Sequence, residues 1–122
     1  MLAPERRTVK ARDLVRALDL SLIAGADSLG REITGGYSAD MLSCVMARAK
    51  AGNIWITLQA HPNVIAVAAL LELAAVIVTE GAPIPSEVIA RANSEKIPLL
   101  ATPHTTFWMV SELPRLGIKA QE

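Results

Sequence analysis

Residues 54–58, 75–79 and 97–101 are three short apolar runs, and a helix-length stretch follows each of them. A strand with one wet face alternates apolar and polar residues, whereas these runs do not alternate, so both of their faces must be covered. Strand–helix units repeated in this way imply a mostly parallel sheet with helices on both faces. Right-handed crossovers then leave few topologies. The fold class expected is α/β, a single domain over residues 1–122 with its core at about 10–118.

The elements follow from local signals. Residues 8–10 read as an edge strand or lead-in, and Leu14, Val15 and Leu18 share one face of a helix over 11–18. Residues 20–24 form an apolar strand that Gly25 breaks. Glu32 and Ile33 open an extended piece running into Gly35-Gly36-Tyr37. Asp40 is placed to cap a helix over 41–50 that buries Leu42, Val45 and Met46. Pro62 suits the first turn of the next helix, to about residue 73. Further helices are expected over 86–96 and 106–113, the last ended or kinked by Pro114.

Residues 64–78 could be misread as a membrane span. The run is shorter than the roughly 20 residues a bilayer requires and Glu72 interrupts it, so a buried helix running into a buried strand explains it better. Glu72 itself is expected mid-helix, paired with Arg48 or Lys50 or turned outward. Apolar residues make up 52% of the chain, which excludes disorder. Twelve basic residues balance twelve acidic ones, so no global field attracts nucleic acid or an anionic membrane. High apolar content without net charge favours self-association, and a homodimer is expected. The residues before Lys10 show no apolar leader, and the expected location is the cytoplasm. Cys44 is the single cysteine. It forms no intrachain disulfide, and on a helix face beside Val45 it reads as a core residue.

Ligands of open parallel sheets bind outside the carboxyl ends of the strands. Four segments are expected there: Thr34-Gly35-Gly36-Tyr37, Thr57-Leu58-Gln59-Ala60-His61, Thr79-Glu80-Gly81 and Thr102-Pro103-His104-Thr105-Thr106. Helix N-termini at this edge would favour a small anionic ligand. Each segment also has a purely structural reading. Gly35-Gly36 can be a turn with positive φ. His61 can cap a helix, and the hydroxyls of Thr105 and Thr106 can satisfy backbone amides. Two histidines without a third ligand of recognisable spacing do not define a metal site. No phosphate-binding glycine loop, nucleophile elbow or zinc-protease motif occurs, so no catalytic residue, metal or cofactor is expected.

The segment Gly30-Arg31-Glu32-Ile33-Thr34-Gly35-Gly36-Tyr37 resembles the signature that names the DRTGG domain. Arg31, Thr34, Gly35 and Gly36 match it, and Gly30 stands where the name has Asp. Blocks downstream extend the resemblance to roughly residues 10–118: Asp40-Met41-Leu42-Ser43, residues 45–50, Trp55-Ile56-Thr57, Gln59-Ala60-His61-Pro62-Asn63 and residues 98–102. Such domains are similar to the N-terminal domain of HPr kinase/phosphorylase, and the phosphate-binding loop of that enzyme lies in a separate domain without counterpart here. They also occur beside CBS domains in pyrophosphatases. The resemblance implies a non-catalytic regulatory domain. Its candidate ligand-binding residues are Arg31, Thr34, Gly35, Gly36, Thr57, Gln59, His61, Thr102, His104, Thr105 and Thr106. The ligand expected is a small anionic metabolite or nucleotide. The alternative is a protein–protein adaptor for a redox, hydrogenase or metabolic enzyme, offering Trp108 and Met109 as contact residues.

Overall fold

The computed structural model describes residues 8–122. Five strands form one sheet in the order β1-β5-β4-β3-β2: β1 Ser21–Ala24, β2 Gly35–Ser38, β3 Asn53–Thr57, β4 Ala75–Val78 and β5 Leu99–Ala101. Strands β2 to β5 run parallel, and β1 lies antiparallel along β5. The helices are α1 Ala11–Ala17, α2 Leu42–Arg48, α3 Pro62–Leu70, α4 Ser86–Glu95 and α5 Thr106–Glu112.

The path from β2 to β5 moves one strand sideways each time and always in the same direction. Crossovers of one hand stepping one way must put their helices on one face. Accordingly Val45 of α2, Ile65 of α3 and Val88 of α4 share a buried cluster with Trp55, Val76 and Leu99. The opposite face is covered by Leu14 of α1, Met109 of α5 and Leu113 just after it, which meet Ile54, Ile56, Ile77 and Leu100. Alternate strand residues therefore enter separate cores, which is why β3 and β4 carry apolar residues on both faces.

The stretch once open to misreading as a membrane span is α3 followed by β4, and no helix among the described residues is long and apolar enough to cross a membrane. Glu72 lies beyond the end of α3 rather than within it, exposed, with φ +57°, and its carbonyl accepts the Gly52 amide. Among the described residues it makes no ion pair with Arg48 or Lys50. Met46 is 51% exposed rather than buried, because α2 is short and packs mainly through Val45. Cys44 is only half-buried, its thiol 3.8 Å from the Met41 sulfur. Pro114 ends α5 and begins a 3-10 turn to Leu116.

Gly25 has φ +76°, and a Cβ there would lie 2.2 Å from the Ile97 carbonyl oxygen. The turn after β1 thus runs directly against the backbone entering β5, which only glycine permits.

Candidate functional site

The register of the sheet divides the candidate residues between its two ends. Gly35 pairs with Asn53, the first residue of β3, while Thr57 is the last. Four steps of an extended strand separate the two positions by about 13 Å. Thr34, Gly35 and Gly36 therefore lie at the amino end of the parallel strands. The expectation of one edge shared with the histidine loops is overturned. The reason is local: Glu32 and Ile33 are not strand residues but bonded to the segment before α1, through a Lys10–Glu32 bridge and the Ile33 amide on the Val9 carbonyl. Strand β2 consequently starts at the glycines. Neither Gly35 nor Gly36 has positive φ, so the turn reading fails as well.

At this amino end the signature residues grip the chain's own turns. The Arg31 guanidinium donates to the Leu73 carbonyl at 2.9 Å, holding the turn between α3 and β4. The Thr34 hydroxyl donates to the Ala51 carbonyl at 2.9 Å, and its amide reaches Gly52. Asn53, 2% exposed, donates to the Thr34 hydroxyl at 3.3 Å and to Gln121 Oε1 at 2.8 Å, and accepts the Lys50 amide at 3.0 Å. A Cβ on Gly35 would come within 3.0 Å of Gln121 Oε1, and one on Gly36 within 3.3 Å of Ile54 Cγ2. At both glycines a side chain would crowd its neighbours. Asn53 was missed from sequence, although an amide heading an apolar strand signals a buried group that must find partners.

The carboxyl edge collects Thr57, Gln59, His61, Thr102, His104, Thr105 and Thr106, on the loops that follow β3 and β5. Hydrogen bonds join these loops to those after β2 and β4. Asp40 Oδ1 accepts the Thr57 hydroxyl and the Leu58 amide, both at 2.8 Å. Asp40 was expected to cap α2. The carboxylate turns to β3 instead, and Met41 is the capping position, without a side-chain bond. The Thr79 and Thr106 hydroxyls lie 2.6 Å apart, and Thr79 also reaches the Thr57 carbonyl at 3.4 Å. Glu80 Oε2 accepts the Thr106 amide at 2.9 Å. The Glu80 amide meets the His104 carbonyl at 2.8 Å, and the Gly81 amide meets the Thr102 carbonyl at 3.1 Å. Strand β4 leads to α4 on one face and β5 to α5 on the other, the divergence that opens ligand crevices in such sheets. Here the chain's own bonds bridge it.

His61 caps α3, its Nδ1 accepting the Asn63 amide at 3.1 Å, and Thr105 caps α5 through the Trp108 amide at 3.1 Å. The His104 imidazole stacks on Trp108 with ring centroids 3.7 Å apart and 19° between planes. Phe107 beside them is 84% exposed, while Met109 is fully buried and unavailable to a partner. The loops at this edge, residues 38–41, 57–63, 79–87 and 102–106, contain Asp40, Glu80 and Glu87 but no Lys or Arg. Sequence reasoning put Glu80 on this edge without a role and read Asp40 only as a cap, because nothing local reveals a carboxylate bonded across strands. Among the described residues no group of three or more His, Cys, Asp or Glu side chains could hold a metal ion.

The family model of the DRTGG domain matches residues 13–116, and the chain belongs to that family. Among solved structures it is similar to the CBS and DRTGG domains of the regulatory region of Clostridium perfringens pyrophosphatase, complexed with its activator diadenosine tetraphosphate. The identity is 20% and the TM-score 0.67, with 82% of this chain and 44% of the other covered. This likeness is one of fold, and the chain spans less than half the length of that neighbour. A search of curated proteins found no match.

Proposed function

We propose that this chain is a non-catalytic regulatory module that binds a nucleotide, chiefly through its base, at the carboxyl edge of its sheet. The observation that carries the reading is the exposed His104 imidazole, stacked on Trp108, on an edge whose loops are tied together through the buried Thr57 and Thr79 and through Thr106. The exposed His104 imidazole offers a planar base a stacking surface, and the exposed Gln59 side chain offers a polar contact. Because Asp40, Glu80 and Glu87 are present without Lys or Arg, the base rather than the phosphate carries most of the binding. A nucleotide activator in the structurally similar pyrophosphatase region supports the same reading. The histidines are engaged in capping and stacking, which favours a binding role over general-base catalysis.

The test is a titration of AMP, ATP, adenosine and inorganic phosphate, followed by thermal stability and by the emission of Trp108. A ligand present at a hundredfold excess over its Kd stabilises the fold by about 2.7 kcal/mol. Adenosine and AMP should shift both signals more than phosphate does, and Trp108→Phe should remove the optical response. No shift with any of the four would refute the reading.

A second reading, a protein–protein adaptor for a partner enzyme or a homodimer subunit, is supported by apolar exposure at the same edge. Met41 is 64% exposed, Leu58 40% and Phe107 84%. Aromatic and thioether groups of this kind anchor protein contacts. Phe107→Asp should then abolish co-purification of a partner without lowering the melting temperature.

A further inference from the structure

Gly30 occupies the place of the signature's aspartate, and its surroundings show what that carboxylate would have met. A Cβ at residue 30 would lie 4.0 Å from Arg12 Nη2, with no other heavy atom so near. Its backbone is outside the positive-φ region, so an aspartate fits there without strain. Two backbone bonds fix the juxtaposition: the Ala11 amide on the Arg31 carbonyl at 3.3 Å and the Arg12 amide on the Leu29 carbonyl at 3.0 Å. These carbonyls already occupy the first amides of α1, so the positive charge at this place belongs to the side chains.

Arg12 and Arg16 are four residues apart on α1 and so share a face. Both line a hollow of about 390 Å³ with Gly30, Ala26, Asp27 and Leu29. Among the described residues neither guanidinium makes an ion pair, and Asp27 is the only carboxylate lining the hollow. Two arginines thus border the hollow with one aspartate, where a signature aspartate would have balanced their charge.

We propose that this hollow is a carboxylate-binding site, in which Arg12 and Arg16 take from outside the anion that a glycine at residue 30 does not supply. The planar guanidinium matches a carboxylate through two parallel N–H···O bonds, which sets the ligand class. The site lies at the α1 side of the sheet's amino end and shares no residue with the carboxyl edge, so it stands or falls independently of the ligand proposed there. The carboxylate is that of a small acid or of an Asp or Glu side chain on a polypeptide.

The experiment compares the protein with Gly30→Asp and Arg12→Gln, titrating each with acetate against chloride at constant ionic strength. Thermal melting and the side-chain Nε–H resonances of Arg12 and Arg16 are followed by ¹⁵N NMR. The expected result is a saturable rise in melting temperature with acetate, accompanied by movement of both resonances. Gly30→Asp should melt higher without acetate and gain nothing from it, and Arg12→Gln should lose the response. Equal responses to acetate and chloride, or an acetate response retained in Arg12→Gln, would overturn the proposal. Should Gly30→Asp fail to fold, the Arg12→Gln arm decides. A blocked Gly-Asp-Gly peptide moving the same resonances at lower concentration than acetate assigns the carboxylate to a polypeptide. Parity between the two assigns it to a small acid.

Discussion

Asn53→Ala tests whether the DRTGG signature is architectural. The side chain makes three hydrogen bonds, to Thr34, to Gln121 and from the Lys50 amide. A hydrogen bond contributes about 0.5–1.5 kcal/mol net, and a buried group left without its partner costs about 1–3 kcal/mol. Thr34, Lys50 and Gln121 are exposed and can turn to water, which lowers the sum. The expected loss is about 2 kcal/mol, with a fall in melting temperature of roughly 8 °C for a chain of this size. Urea unfolding followed by tryptophan emission measures it, because Trp55 is fully buried, with its indole N–H on the Ala39 carbonyl at 2.9 Å. The same substitution should leave nucleotide affinity at the carboxyl edge unchanged, since Asn53 stands at the far end of β3 from Thr57. A loss below about 0.5 kcal/mol, or weakened ligand binding in a fully folded protein, would refute the architectural reading.

Other perturbations separate the remaining interactions. Gly25→Ala and Gly81→Ala both place a side chain at positive φ, but only the first meets backbone, at 2.2 Å, while nothing lies within 4 Å of the second. Urea unfolding should show Gly81→Ala losing about 1 kcal/mol and Gly25→Ala several times more, enough to impair folding. Gly36→Val should cost about 1–3 kcal/mol in the same measurement, through crowding of Ile54 and Leu113. Asp40→Ala removes the acceptor of the Thr57 hydroxyl and Leu58 amide and should cost about 1–2 kcal/mol, with the loss read by thermal melting.

The fold was legible because its signals are local and redundant. The apolar runs that became β3, β4 and β5 could be covered only in a parallel sheet, and Pro62, His61 and Thr105 marked helix starts that the structure keeps. Boundaries were less so. The ends of α2 and α3 depended on how far their packing against the sheet extended, and Glu72 fell in a left-handed turn instead of a helix.

The site was only half legible. Residues immediately after β3 and β5 must lie at the carboxyl edge once the strands are parallel, so Thr57, His61, His104 and Thr106 were placed by their position in the chain. The glycine pair could not be placed in that way. Whether Gly35 begins or ends its strand depends on its register with Asn53, and a register is a relation between segments distant in sequence. The bonds from Asp40 to Thr57 and from Glu80 to Thr106 likewise join loops that meet only after the sheet has formed. The amino-acid sequence by itself determined the strands, the helices and the signature. The tertiary structure alone decided that the signature holds the amino end together, because hydrogen-bond partners are chosen by distance in space.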